Sequence, residues 1–384
     1  MLLEQASGRS GPARPEAARH STTVSADTQD RGVVSTKHIT ALDGWRGVAI
    51  LMVLCSHGFR LEHFLPFDLG NSGVVFFMIL SGYLITTRLL TTYRSPHGIA
   101  FARFYVRRAF RILPPVFLYL AVLVSLNFVA HSIRTSRIEI LASLFFWRNY
   151  VLLPHTGKLT GWFTGHFWSL AVEEHFYLMW PLIMHFGGRK RTFRIALTGA
   201  AACAFWRWFG LAYGIREGYL LDHVLYYFRT DTRIDTLLIG CAIALALSRT
   251  GWESIARRYL PVEASAILLG FLGVMLVLTG QWFSGLKEEL IVAALLVITL
   301  VHPGNGMARL LSWRPLRAVG ILSYSLYIWQ QLLLTPEDAG WWTRFPANLL
   351  LVFAAAAGSY YLIERPAVAL GVRLTRSRAA SAES

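Results

Sequence analysis

The chain is short of charge. Only 15% of its 384 residues are Asp, Glu, Lys or Arg, against roughly a quarter in an ordinary soluble domain, which excludes a water-soluble globule as the whole of the protein. Acidic residues are the scarcer sign, 22 against 37 basic, and the formal net charge is +15. Cysteine is nearly missing: Cys55, Cys203 and Cys241 each stand alone inside an apolar run. An odd count cannot pair completely and no CxxC spacing offers a zinc site, so neither a disulfide framework nor a metal is expected. The first 38 residues contain no apolar run long enough for a signal-peptide core, and their Ser, Thr, Ala, Gly and Arg content is that of a disordered tail kept in the cytoplasm. Nor do the motifs of one half recur in the other.

What the chain does have is apolar length. Hydrophobic residues make up 54% of it, and runs near the roughly 20 residues that cross a bilayer as a helix recur along its length. The expected spans lie near 44–63, 72–92, 112–131, 166–187, 194–214, 231–248, 263–280, 288–303, 318–335 and 345–363. The reading is therefore an all-α polytopic membrane protein with about ten transmembrane helices. Basic residues gather in the short turns 103-RFYVRRAFR-111, 189-RKRTFR-194, 249-RTGWESIARR-258, 309-RLLSWRPLR-317 and 373-RLTRSR-378. Positive charge of this kind marks cytoplasmic loops, so both termini are placed there and nucleic acid is not expected as a partner. The run 138-IEILASLFFW-147 is too short to span, and segment 132–165 is placed at the outer interface, with the Gln281 turn on the same side. Three regions follow: a tail at 1–38, a membrane domain at 39–368 and a basic cytoplasmic tail at 369–384.

Against that apolar background the ionisable residues stand out. The stretch 41-ALDGWRGVAILMVLCSHGFR-60 carries Arg46 and His57 eleven apart, on one helical face and about 16 Å apart along the axis. Charge inside a bilayer costs at least a few kcal/mol and marks a cavity or a partner. The plain alternative is that Arg46 snorkels to the surface and His57 packs. Asp43 could hold the guanidinium. In 166-HFWSLAVEEHFYLMWP-181, spacings of three, four and seven put His166, Ser169, Glu173 and Phe176 or Tyr177 on one face, and packing does not explain the adjacent carboxylates Glu173 and Glu174.

The motifs 76-FFMILSGYLI-85, 107-RRAFRILP-114, 168-WSLAVEEHFY-177, 231-DTRIDTLLIG-240, 323-SYSLYIW-329 and 364-ERP-366, with the Arg46-x10-His57 pair, occur in one order over residues 38 to 366. In this the chain resembles the acyltransferase-3 family of integral membrane acyltransferases. The resemblance implies transfer of an acyl group, usually acetyl, from cytoplasmic acyl-coenzyme A, as co-substrate and without a metal, to a hydroxyl. The setting would be the bilayer of a bacterial inner membrane, crossed many times. It makes His57 the catalytic histidine, with Arg46 its partner. A neutral imidazole can take a proton from an attacking hydroxyl, although a covalent acyl-histidine is equally drawable. Arg46, Ser81 or a backbone N–H near Gly82 could face the developing oxyanion.

The basic turn of Arg103, Arg107, Arg108 and Arg111 suits the phosphates of coenzyme A, with Arg107 and Arg108 the main contacts. Setting topology or touching anionic lipid would be its other uses. Ser81 and Gly82 sit mid-helix, where glycine lets another helix or an acyl chain approach. Trp168, Ser169, Glu173, Tyr177, Arg233, Asp235, Tyr324 and Glu364 fall in the supporting or acceptor-side motifs, Arg233 and Asp235 either binding acceptor or bracing helices. Where relatives commonly carry histidine after the SYSLYxW stretch, this chain has Gln330, an amide that keeps hydrogen bonding and loses titration. The expected acceptor is a surface or exopolysaccharide glycan, or its lipid-linked precursor. A macrolide-like or other small hydroxyl compound is the alternative, and a proton-coupled transporter the reading from another class.

Overall fold

The computed structural model describes residues 39–59, 68–93, 100–129, 133–151, 161–210, 227–279, 285–335 and 340–380. The tail at 1–38, the Gln281 turn, Ser95 and Ser284 lie outside these residues. Every regular element among them is helical. In chain order the main ones are α1 (Thr40–Phe59), α2 (Leu69–Tyr93), α3 (Phe101–Val129), α4 (Arg137–Leu144), α5 (Phe167–Phe209), α6 (Thr230–Leu247), α7 (Trp252–Tyr259), α8 (Ala264–Thr279), α9 (Gly285–Val301), α10 (Gly306–Leu311), α11 (Arg314–Leu333), α12 (Ala347–Ser359) and α13 (Arg365–Ala380), with short helical turns at Arg148–Tyr150, Trp162–Gly165 and Trp341–Thr343 and a π-helical turn at Tyr360–Glu364 before the last. A helix overlies each expected span.

By length and composition alone, three helical stretches among the described residues suffice to cross a bilayer: Leu69–Thr92, Phe101–Val129 and Ala347–Arg376. A fourth is available if α6 and α7, bent by 114° at their junction, count as one. Large apolar side chains such as Phe186, Ile267, Leu350 and Leu362 point outward, a surface suited to lipid and costly in water.

Two elements differ from the sequence reading. The basic stretch 103–111 is the first part of α3 and not a turn, because arginine is a good helix former and the four-residue steps from Arg103 to Arg107 to Arg111 put all three on one face. Residues 167–209 run as one assigned helix broken only at Gly188, whose φ of 62° and ψ of 172° only glycine adopts cheaply. The last helix, α13, packs on α3.

The main packing runs as a row, α5 on α6, α6 on α2, α2 on α1, α1 on α11 and α11 on α12. Glycine makes the close steps possible. A Cβ at Gly82 would strike the Leu237 carbonyl, and one at Gly240 the Ile79 carbonyl, so α2 and α6 interlock reciprocally. The short helix α4 opens with a capping box in which Ser136 Oγ accepts from Glu139 N–H while Glu139 Oε2 accepts from Ser136 N–H. Arg148 ties this segment to the turn before α5, donating to Thr164 Oγ1 (3.0 Å) and to the Gly161 carbonyl (3.3 Å). Burial draws its pKa down against the upward pull of Glu139.

Candidate active site

A cavity of about 260 Å³ opens between α1, α2, α3, α5 and α11. Arg46 comes from α1. Along α2, Ser81 and Arg88, seven apart, share the face that also carries Leu84 and Ile85. The first turns of α3 give Arg103, Arg107, Arg108 and Arg111; α5 gives Ser169, Glu173 and Tyr177; α11 gives Ser323, Tyr324 and Tyr327. Six arginines and a single carboxylate thus line one cleft whose remaining wall is largely apolar, including Val74, Phe77, Leu89, Phe104 and Leu170.

The six arginines are not equivalent. Arg108 is held by Glu174, its Nε and NH2 donating to Oε1 at 3.3 and 3.2 Å, and its guanidinium lies over the Tyr177 ring. Arg107 Nε donates to Thr375 Oγ1 of α13 at 2.8 Å. Glu173 accepts from Ser81 Oγ (3.2 Å) and from Tyr177 OH (3.0 Å), so the Ser81 hydroxyl is already committed. The side chains of Arg46, Arg88, Arg103 and Arg111 make no hydrogen bond or ion pair among the described residues. Uncommitted guanidinium groups in an apolar cleft are what a multiply charged anion needs. Arg88 was not among the residues read from the sequence, although its spacing from Ser81 was the available signal.

His57 sits at the other end of α1. It does not line the cavity. Gly73 of α2 faces the Ala49 carbonyl and Val53 of α1, and Gly70 faces Ser56, so α2 packs along α1 toward His57. Because α1 is unbroken, Arg46 and His57 stand about 16 Å apart along it. His57 Nδ1 lies 2.6 Å from Gln330 Oε1, and its ring meets Trp162 edge-on at 5.3 Å. The neighbouring amide does the same for His166: Gln331 Oε1 accepts from the His166 backbone N–H at 2.8 Å and lies 2.7 Å from its Nδ1. Trp162 Nε1 donates to the Gln331 carbonyl at 2.8 Å, and Tyr327 OH, on the cavity wall, bridges Ser169 Oγ (2.6 Å) and the His166 carbonyl (3.0 Å). Neither Trp162 nor Gln331 carried a signal in the sequence.

The remaining expected residues lie outside the cleft or on its wall. Gly82 faces α6 and not the cavity. Tyr324 OH donates to the Ile112 carbonyl at 2.9 Å, and Glu364 accepts from Ser325 Oγ at 2.8 Å. Trp168 stacks near Phe228 and under Arg233. Arg233, 1% exposed, donates to Tyr227 OH (3.0 Å) and Asn71 Oδ1 (2.9 Å). Asp235 is fully buried with Arg207 NH1 2.8 Å from its Oδ2, while Arg207 NH2 reaches Glu289 Oε1 at 3.0 Å. Arg207 and Glu289 carried no assignment from the sequence, though an arginine well inside the apolar run 194–214 is itself a sign of a buried partner. Among the described residues no cluster of three or more His, Cys, Asp or Glu could hold a metal.

The family model described as an acyltransferase domain matches residues 39–364. Over 370 residues the chain is 30% identical to YrhL of Bacillus subtilis, provisionally named a peptidoglycan O-acetyltransferase, covering 88% of this chain and 56% of that one. It is 27% identical over 326 residues to the peptidoglycan O-acetyltransferase OatA of Listeria monocytogenes, covering 78% and 50% of the two chains. With the O-acetyltransferase OatA of Staphylococcus aureus the identity is 29% over 322 residues, covering 79% and 52%. The chain spans about half the length of these curated relatives. No solved structure matches it.

Proposed function

The chain belongs to the acyltransferase-3 family, and on that premise we propose that it transfers an acyl group, acetyl by preference, from a coenzyme A thioester to a hydroxyl of a cell-surface glycan. The names of its relatives make a peptidoglycan fragment the first acceptor to test. The observation that carries this reading is the arginine-lined cleft that runs from Arg46 toward His57. Its uncommitted arginines suit the 3′-phosphate and pyrophosphate of coenzyme A, and its apolar inner wall suits the pantetheine arm and a short acyl group.

In this mechanism the thioester carbonyl lies at the inner end of the cleft, below His57. The acceptor hydroxyl enters from the outer side, beside Trp162. His57 Nε2 takes the hydroxyl proton as oxygen attacks the carbonyl carbon. The C–O bond forms, the C–S bond breaks, and the departing thiolate takes the proton back from His57, leaving ester and free coenzyme A. The proposal includes the finer topology: ten spans in a bacterial inner membrane, both termini cytoplasmic, donor and acceptor arriving from opposite faces. The aromatic side chains exposed at the far end of the bundle from the arginines, Phe145, Trp147 and Trp341, support an interface there. A proton-coupled transporter would leave the uncommitted arginines without a use.

The test is His57→Ala in purified, reconstituted protein supplied with acetyl-coenzyme A and a soluble N-acetylglucosamine–N-acetylmuramic acid oligomer. Transfer should fall by about 100-fold or more with folding retained. A variant keeping a tenth of the rate would remove His57 as the base.

A further inference from the structure

His57 is gripped by a side chain that the transfer scheme above does not use. Gln330, on the last turn of α11 facing α1, is fully buried, and its Oε1 lies 2.6 Å from His57 Nδ1. A carbonyl oxygen can only accept, so in this pairing Nδ1 carries the ring proton and the lone pair is on Nε2. We propose that Gln330 is a positioning residue for acyl transfer, holding His57 as the Nδ1–H tautomer so that Nε2 is always the basic nitrogen. The inference rests on the reading of His57 as the base.

Two observations separate this from packing. The Gln330 amide nitrogen is buried without a hydrogen-bond partner among the described residues, a cost that methionine or leucine of similar size would avoid. Gln331, the next residue, sets His166 by the same contact, so the end of α11 presents two amides in succession to two imidazoles. Only the first of these imidazoles lies on the helix that carries Arg46. Facing His57 are Gln330 from α11, the Trp162 ring, and His166 just before α5.

The experiment compares Gln330→Met, Gln330→Glu and His57→Ala in the full chain, reconstituted and assayed with acetyl-coenzyme A and the same oligomer. Gln330→Met removes the acceptor while keeping apolar volume. It should melt at or above the wild-type temperature yet lose about 10- to 100-fold in kcat, the usual cost of losing a residue that orients a reactive histidine, with the KM for acetyl-coenzyme A unchanged. Gln330→Glu places a carboxylate on Nδ1–H. Negative charge there favours imidazolium and raises its pKa, so the neutral base forms only at higher pH and the acidic limb of kcat/KM should move up by about one unit. A wild-type kcat in Gln330→Met, or an unshifted limb in Gln330→Glu, while His57→Ala is inactive, overturns the inference and leaves the proposed function standing. If Gln330→Met does not fold, the Gln330→Glu profile decides alone. Activity in His57→Ala would bring down both together.

Discussion

Replacing Arg207 by Met would empty the centre of the ionic cluster between α5, α6 and α9. Arg207 binds Asp235 through NH1 at 2.8 Å, Glu289 through NH2 at 3.0 Å and the Thr232 carbonyl at 2.8 Å, and both carboxylates have no exposed side-chain surface. After the substitution Asp235 keeps the Thr236 N–H at 3.0 Å and the neighbouring Cys203, and Glu289 keeps the Thr236 hydroxyl at 3.1 Å. Two like charges would then share one dry site, so one carboxyl must take a proton or the helices must part to admit water. Removing one partner of a buried pair costs about 3–5 kcal/mol, and a fall in melting temperature on the order of 10 °C is expected in detergent. The double variant with Asp235→Asn should lose less than the sum of the two single changes, a coupling of about 1 kcal/mol or more. The assay is thermal unfolding followed by size-exclusion chromatography, with acceptor KM measured alongside. If Arg207→Met melts as the wild type does, and Asp235→Asn raises acceptor KM alone, then Asp235 binds acceptor and the bracing role assigned by its contacts is wrong.

Two further tests bear on the donor and on topology. Arg88→Gln and Arg111→Gln should each weaken acetyl-coenzyme A binding by about tenfold and flatten its salt dependence, as expected for losing one charge-assisted contact. Arg108→Gln should act mainly on stability through Glu174, and titration calorimetry at two salt concentrations separates the cases. Equal losses for all three would mean that the contacts of Arg108 do not remove it from the donor site. A cysteine placed at Ser284 should be labelled by an impermeant maleimide in intact cells, and one at Ser95 only after lysis. Labelling of both from one side would refute the two-face arrangement.

The helices were legible because a bilayer leaves little choice: an apolar run must satisfy its own backbone, and every such run here is overlaid by a helix. Arg46, Ser81, Glu173 and the α3 arginines were visible because ionisable or polar residues in apolar surroundings need a reason, and they do line one cleft. The division of labour among them was not visible. Arg108 and Arg111 look alike in sequence, yet only Arg108 meets Glu174, a contact made across 66 residues of chain. The pairing of His57 with Gln330 spans 273 residues, and amides leave no hydropathy trace strong enough to announce it. The Gly188 break was hidden for the opposite reason, since a basic stretch after an apolar run looks the same whether the chain turns or only kinks.

The uncommitted arginines have a metabolic corollary. On the proposed reading they grip the nucleotide half of the donor, which substrate and spent carrier share. Such binding is the same before and after the reaction, so it holds the thioester without speeding its chemistry. Free coenzyme A then competes for the cleft on nearly equal terms, and the rate at which the outer glycan is decorated follows the ratio of charged to discharged carrier in the cytoplasm. A cell poor in acetyl units would slow the modification of its surface without any separate regulatory domain.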